Sequence, residues 1–241
     1  MIDLSIVITN FNSEKYIDGC LSSCIAQNTK FNYEIIVVDD FSTDNSYSKI
    51  KTYKSKLVRV FRNKKNLGIE KTSNFGLKKS RGKYVCRVDS DDLLDPNFVQ
   101  IMIKNFKNEF SFCYSNYKII NSKGKIISKK ILPNFNKYEI LARGDFLATG
   151  TVYKKKIFKK LGYYNTKYKN CGLESFEFVL NLIFKKKEKG VRINKMLFSL
   201  RKHSKNISKI KKKNIFNYGK KMFKKLKLGE YSINKNHPNY I

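Results

Sequence analysis

Residues 4–9, LSIVIT, form an unbroken apolar run rich in β-branched side chains. Nothing polar alternates through it, so it predicts a strand covered on both faces. YEIIVVDD (33–40), LVRVFRN (57–63) and KYVCRVD (83–89) predict three more strands. Between them the hydrophobic period lengthens to that of a helix. SEKYIDGCLSSCIAQ (13–27) has helical spacing, with Ser13 placed as an N-cap. STDNSYSKIKTYK (42–54) predicts a short polar helix, and GIEKTSNFGLKKS (68–80) a helix ending near Gly82. PNFVQIMIKNFKN (96–108) predicts a helix with Pro96 near its first turn. Strands that alternate with helices from residue 4 to 108 predict an α/β fold, its mostly parallel sheet joined by right-handed βαβ crossovers.

The pattern changes in the second half. FSFCYSNYKII (110–120), NSKGK and IIS predict a strand and a hairpin, and DFLATGTVYKK (145–155) a further strand. KKIFKKLG (155–162) and ESFEFVLNLIFKKK (174–187) have helical spacing, and VRINKMLFSLRKH (191–203) predicts a late strand. Residues 208–228 predict a basic helix with Ile215, Tyr218, Met222 and Leu226 along one side. No repeat and no Pro/Gly/Ser-rich linker divides the chain. The expected organisation is one domain over 1–205, with halves at 1–108 and 109–205, and a basic tail over 206–241.

Charge adds a bias but no partner. The 51 Lys and Arg against 19 Asp and Glu give a net charge of +32 over 241 residues. Lys, Asn and Ile are abundant together, as AT-rich coding produces, so much of this charge belongs to solvated faces. No nucleic-acid-binding module is recognisable, and nucleic acid is excluded as a partner. An anionic small substrate or an anionic membrane surface fits better. No apolar run reaches the length of a membrane span. The opening residues lack a basic region and a small-residue cleavage site, so a cytoplasmic location is expected. The five cysteines (Cys20, Cys24, Cys86, Cys113 and Cys171) complete no zinc pattern and are expected to be free, buried thiols.

Against that basic background, Asp89, Asp91, Asp92 and Asp95 fall within seven positions. Carboxylates this close repel one another unless something positive lies among them. In an open α/β sheet, ligands bind beyond the carboxyl ends of the strands. Those ends carry Thr9, Asn10, Phe11 and Asn12 on the first strand, Asp39 and Asp40 on the second, and Asp89, Ser90 and Asp91 on the fourth. Helix capping accounts for Asp95 and for Asp92 but poorly for Asp89. Residues i and i+2 at a strand end point to the same side, so Asp89 and Asp91 can converge on a hard cation, Mg²⁺ or Mn²⁺, shared with a phosphate-bearing ligand.

These motifs, in this order, resemble family-2 glycosyltransferases of the GT-A fold. SIVITNFNSEKYIDGCLSSCIAQ is similar to that family's opening strand and helix, YEIIVVDDFSTDNS to its second-strand motif, and NLGIEKTSNFGLKKSRGKYVCRVDSDD to the segment leading into its DxD motif. The likeness covers about the first 100 residues, weakens over 110–170, and returns in GLESFEFVLNLI and LRKHSKNIS. The resemblance implies a GT-A domain over 1–205, with 1–108 binding the nucleotide sugar and 109–205 facing the acceptor. It implies donor contacts from Thr9, Phe11, Asn12, Asp39, Asp40, Asp89 and Asp92, with Phe11 stacking on the base, Asp40 hydrogen-bonding it and Asp39 in support. It implies metal ligation by Asp89, Asp91 and the late His203. The implied reaction moves a sugar from a nucleotide-diphosphate donor, a UDP-sugar foremost, to a glycan or lipid-linked acceptor hydroxyl, with inversion and with Mn²⁺ or Mg²⁺. The expected setting is cell-surface glycan synthesis at the inner face of the membrane.

One departure bears on catalysis. The family places Glu then Asp at a helix start beside the acceptor, with the Asp as base; here Glu174 is followed by Ser175. A serine hydroxyl is too weakly acidic to serve as a base near neutral pH. Glu174 is therefore expected to take the role, with Glu177, one turn on, as the other candidate. A degenerate, non-catalytic sugar-nucleotide-binding module is the alternative that Ser175 keeps open. A nucleotidyltransferase is disfavoured because TNFNSEKY holds no Gly-rich phosphate loop. The 208–228 helix is expected to lie on an anionic membrane through its apolar stripe, against the plainer alternative of packing on the domain.

Overall fold

The computed structural model describes residues 1–53, 55–143, 147 and 149–232. Strands β1 (Leu4–Asn10), β2 (Tyr33–Asp39), β3 (Val58–Arg62) and β4 (Tyr84–Asp89) lie side by side in the order β3-β2-β1-β4, all parallel. Helices α1 (Ile17–Ile25), α2 (Ser46–Thr52) and α3 (Ile69–Lys79) make the crossovers. Every residue of β1 and β2 is buried, as unbroken apolar runs require when helices cover both faces. Tight return into β4 depends on Gly82, where a Cβ would stand 2.6 Å from the Ser5 nitrogen.

The sheet continues past β4 with mixed polarity. The remaining strands and helices are β5 (Leu93–Leu94), α4 (Phe98–Lys104), β6 (Phe112–Ile120), β7 (Ile126–Lys130), α5 (Lys137–Arg143), β8 (Val152–Lys154), α6 (Lys155–Leu161), α7 (Glu174–Leu180), β9 (Gly190–Arg201), α8 (Ile207–Ile210) and α9 (Lys212–Leu226). The order runs on as β4-β8-β6-β9-β5, with β7 paired to β6. β8 is antiparallel to both β4 and β6, so β6 and its parallel neighbour β9 point the same way as β1 to β4. The carboxyl ends of six strands therefore share one rim.

Several elements differ from the sequence expectation. β5 forms inside the acidic stretch, where two leucines pair with Ser199 and Phe198 of β9; no two-residue strand carries a period to read. The helix expected over 174–187 is α-helical only to Leu180 and continues as a π turn over Asn181–Lys185. The strand expected over 145–155 is seen at β8, and residues 145, 146 and 148 of it lie outside the described residues. The tail is two helices, and its membrane reading requires correction. Ile215, Tyr218, Met222 and Phe223 are buried against the domain, Phe223 facing Phe176 of α7 at 6.2 Å between ring centres. The apolar stripe is covered by protein, leaving an outer face of lysines; residues 233–241 of the tail lie outside the described residues. All five cysteines are buried and free, as expected.

At the end of the sheet away from the rim, Glu34 is buried beneath Arg59. Its carboxylate accepts hydrogen bonds from Ser5 Oγ (2.7 Å), the Arg81 N–H (2.6 Å) and Arg59 Nη1 (2.9 Å). Burial pushes its pKa up, but these donors outweigh burial and hold it below its ordinary 4.5. A depressed folded pKa contributes stability above the unfolded value and loses it as pH falls through the folded one. Glu34→Gln is therefore expected to cost about 1–3 kcal/mol at neutral pH. Urea unfolding checks this: the gap to wild type should close in acid, and a gap constant with pH would refute the assignment.

Candidate active site

The rim begins with a hydrogen-bonded floor. Register places Thr9 beside Asp89 and Val38, and Asn10 beside Asp39. Asn10 Nδ2 donates to Asp39 (2.8 Å), Ser42 Oγ (3.1 Å) and Ser46 Oγ (3.0 Å). Asp39 is fully buried; Ser42 Oγ donates to its Oδ1 at 2.6 Å and Arg62 pairs with its Oδ2 at 3.2 Å. Asp40 accepts from Asn63 Nδ2 (2.7 Å), Leu67 N (2.8 Å) and Gly68 N (2.8 Å), and so fixes the loop from β3 to α3. Oδ1 takes the bonds from Asn63 and Leu67 and Oδ2 the one from Gly68, so Oδ2 keeps a lone pair.

Above this floor two backbone outliers aim aromatic rings outward. Asn12 and Phe41 have φ of 51° and 61°. Asn tolerates the left-handed region, whereas a bulky Phe there carries real strain. Hydrogen bonds hold the pair in place: Asn12 N donates to Ser42 Oγ (3.0 Å), and Thr43 N donates to Asn12 Oδ1 (2.8 Å). Phe11 and Phe41 are left 48% and 43% exposed at this rim, with the Arg62 guanidinium 5.3 Å from the Phe41 ring centre.

The acidic stretch at the end of β4 divides in three. Asp89 points toward buried Arg87, Oδ1 to Nε 3.5 Å, and Thr149 Oγ1 donates to its Oδ2 at 3.2 Å. Asp91 Oδ2 meets His203 Nε2 at 2.8 Å and Asn206 Nδ2 at 3.2 Å. Asp92 turns inward, where it accepts from the Arg201 N–H at 2.8 Å and ties β9 to the rim. Burial first, then the charges of Asp91 and Asp89, push the Asp92 carboxyl well above its ordinary range.

Part of the positive charge demanded by these carboxylates is thus protein. Arg87 Nη1 pairs with Glu174 Oε1 at 2.5 Å while Nε faces Asp89. Burial works against the Arg87 charge, but Asp89 and then Glu174 outweigh it and hold the guanidinium well above its ordinary range. Arg201 Nε donates to the Asp91 carbonyl at 2.8 Å, and its guanidinium lies 4.9 Å from the Tyr16 ring centre. Tyr16 also stacks on His203 at 4.9 Å and fixes that ring. Lys205 N donates to His203 Nδ1 at 3.2 Å, so Nε2 carries the proton and points it at Asp91.

Arg87, Thr149, Arg201 and Tyr16 were not among the residues expected from sequence. Only Arg87 left a signal, a cation in a buried run two positions before Asp89 and so on its side of the strand. The two acids of α7 part company. Glu174 joins the Arg87–Asp89 chain. Glu177 accepts from Tyr218 (2.6 Å) and Asn165 (3.2 Å) and faces α9. Ser175 is buried, and its hydroxyl has no hydrogen-bond partner among the described residues.

Of the expected cation ligands, Asp91 and His203 meet while Asp89 stands beside Arg87; all three lie on one rim, but their ligand atoms are not drawn within 4.8 Å of one another. Asp89 Oδ1 is a buried oxygen without a hydrogen-bond partner, 3.5 Å from Arg87 Nε, and carboxylate oxygens are ligands of the kind Mn²⁺ and Mg²⁺ take. Among the described residues, the group whose ligand atoms all lie within 4.8 Å is Glu70, Cys171 and Glu174, and it does not suit a divalent cation. Glu70 is capped by the N–H groups of Asn170 (2.9 Å) and Cys171 (2.7 Å), and Arg87 already neutralises Glu174. Burial and then Glu174 push the Cys171 thiol up, leaving it a neutral, poor ligand.

Residues 5–166 match the model of glycosyl transferase family 2. The UDP-Glc:alpha-D-GlcNAc-diphosphoundecaprenol beta-1,3-glucosyltransferase WfgD of Escherichia coli is 32% identical over 141 residues, 58% of this chain and 55% of that protein. The poly(ribitol-phosphate) beta-N-acetylglucosaminyltransferase TarP of Staphylococcus aureus is 33% identical over 66% of this chain and 50% of its own length. The chain thus spans about half the length of these two relatives. Among solved structures, S. aureus TarS 1-349 in complex with UDP-GlcNAc covers 96% of this chain and 68% of its own, with a TM-score of 0.69 at 21% identity. The mannosyltransferase PcManGT of Pyrobaculum calidifontis, in complex with GDP-Man and Mn²⁺, covers 95% and 65%, with a TM-score of 0.68 at 14% identity. At these identities the likeness establishes the GT-A arrangement of the mixed sheet.

Proposed function

Because the chain belongs to glycosyl transferase family 2, we propose that it moves a sugar from a nucleoside-diphosphate donor, a UDP-sugar foremost, to an acceptor hydroxyl with inversion. The observation that carries the reading is the placement of Asp89, Asp91 and His203 on one rim with the exposed rings of Phe11 and Phe41. Relatives named for UDP-Glc and for poly(ribitol-phosphate), and a structural neighbour holding UDP-GlcNAc, support the donor class and a role in cell-surface glycan synthesis. The first of those names also supports a lipid-diphosphate-linked acceptor.

The residues divide the work. Phe11 and Phe41 offer faces on which a base can stack. Asp40 and its loop set the edge that the base meets, and Asp39 with Asn10 holds Phe11 and Asn12 at the end of β1. Thr9 lines the floor beside Asp89. Asp89, Asp91 and His203 would hold Mn²⁺ or Mg²⁺, which when bound supplies charge neutralisation for the departing diphosphate. To hold a cation, His203 Nε2 would give up its hydrogen bond to Asp91. Asp92 and Arg201 brace that end of the rim. Glu174, oriented by Arg87, is the base that receives the acceptor proton. The buried Ser175 hydroxyl favours a second reading, a module that binds donor without turnover.

Thermal shift with UDP-Glc, UDP-GlcNAc and GDP-Man, each with and without Mn²⁺, tests the reading. A ligand held at 100 times its dissociation constant stabilises the native state by about 2.7 kcal/mol. A UDP-sugar is expected to raise the melting temperature with Mn²⁺ and much less without it. No shift with any donor would sink the proposal, and a shift without release of nucleoside diphosphate would favour the non-catalytic module.

A further inference from the structure

Among the described residues, nothing covers the β6–β7 hairpin. Every residue from 123 to 131 is exposed, and β7 buries neither face although it is bonded to β6. Ile126, Ile127 and Ile131 are 48%, 55% and 70% exposed. Scattered apolar residues on a surface need no explanation, but three isoleucines within six positions on a bare strand and the residue after it do. Lys123, Lys125, Lys129 and Lys130 are interleaved with them, and residues 110–138 contain no acid.

We propose that this hairpin docks the site rim on an anionic bilayer, its isoleucines entering the interface and its lysines reaching lipid phosphates. Branched apolar side chains beside long cationic ones suit that boundary, because lysine stems lie along the apolar layer while the ammonium groups stay at the phosphates. Neither feature alone would suffice. The outer face of α9 carries Lys220, Lys221, Lys224 and Lys225, but its apolar residues are buried. A second copy of the chain adding a strand to β7 is opposed by the lysines, which would meet like charge across the new pairing.

Placement makes the docking useful. The hairpin turn follows β6 at the active rim: Arg201 Nη1 donates to the Asn121 carbonyl at 3.1 Å while its Nε holds the Asp91 carbonyl. A membrane at the hairpin therefore lies beside the end of the site where His203 and Asp91 meet. Such an approach suits an acceptor whose lipid portion stays in the bilayer. This use of the hairpin rests on the glycosyltransferase reading, whereas the membrane contact does not.

Flotation of the full chain on phosphatidylcholine vesicles, with and without phosphatidylglycerol, tests the contact. Wild type should float with the anionic vesicles and not with the neutral ones. Ile126→Ser with Ile127→Ser should lower partition about tenfold or more. Lys123, Lys125, Lys129 and Lys130 changed to Ser should lower it by about fivefold per residue. The same change at Lys220, Lys221, Lys224 and Lys225 removes equal charge and should cost clearly less. Equal losses from both lysine sets, or no preference of wild type for anionic vesicles, overturns the proposal. So does a dimer in sedimentation that the isoleucine variant abolishes, since the hairpin would then join two copies. The UDP-sugar shift with Mn²⁺ should be unchanged in the hairpin variants. If donors bind but vesicles do not, this inference fails alone; if vesicles bind but no donor does, the catalytic reading fails and the membrane contact stands.

Discussion

Asp91→Asn is expected to lower turnover by ~10² or more, because it removes a charge from the point where a cation and the leaving diphosphate would meet. The fold should not suffer. Asp91 and Asp89 push the buried Asp92 carboxyl upward, so removing the Asp91 charge relieves repulsion within the apo site. An asparagine oxygen can still accept the bond that His203 Nε2 now makes at 2.8 Å. The variant should therefore melt at or slightly above the wild-type temperature without metal and lose the rise that Mn²⁺ with a UDP-sugar produces. Calorimetry with Mn²⁺ and a nucleoside-diphosphate release assay read both halves. Normal turnover of the variant in Mn²⁺, or full wild-type activity in excess chelator, would show that the reaction does not pass through this residue.

The second large effect lies at the Arg87–Glu174 pair, where stability and activity separate. Both side chains are buried, about 4–5% exposed, and bonded at 2.5 Å. Breaking such a pair from one side leaves an uncompensated charge and costs about 3–5 kcal/mol. Arg87→Ala removes the guanidinium from both Glu174 and Asp89, so the full cost is expected. In a chain of this length that corresponds to a fall of roughly 6–20 °C in melting temperature. Glu174→Gln keeps a hydrogen-bond acceptor for Arg87 and should destabilise much less, yet lower kcat by at least ~10² with donor binding nearly unchanged. The contrast between the variants separates a base from a strut. If Glu174→Gln turns over normally, Glu174 only positions Arg87. Should Glu177→Gln lose turnover instead, the proton goes to the acid bonded to Tyr218. That outcome would require α9 to move, because Tyr218 OH now donates to Glu177 at 2.6 Å.

Much of this molecule was legible in contiguous stretches. Buried strands such as LSIVIT and YEIIVVDD announce themselves because helices cover both faces, and the alternation of strand and helix to residue 108 follows from local period. Parallel strands with short crossovers bring their carboxyl ends together, so the strand pattern alone assigns Asp39, Asp40, Asp89 and Asp91 to one rim. The five thiols and the hairpin after residue 120 were equally local matters.

Tertiary structure decided whatever depended on residues far apart in the chain. Arg87 reaches Glu174 across 87 positions and Arg201 reaches the Asp91 carbonyl across 110, and no local pattern encodes either contact. The two-residue β5 exists only because β9 arrives beside it. The apolar stripe of α9 suited a membrane or a protein surface equally well, since amphipathicity specifies a face and not its partner; packing against α7 chose the protein. The isoleucines after residue 125 reversed that outcome: they read as an ordinary strand, and β7 buries neither of its faces. Sequence determined which residues prefer burial and where the chain turns, because those are short-range energies. Which buried face meets which, and which is left bare, is a competition among distant surfaces that only the assembled fold resolves.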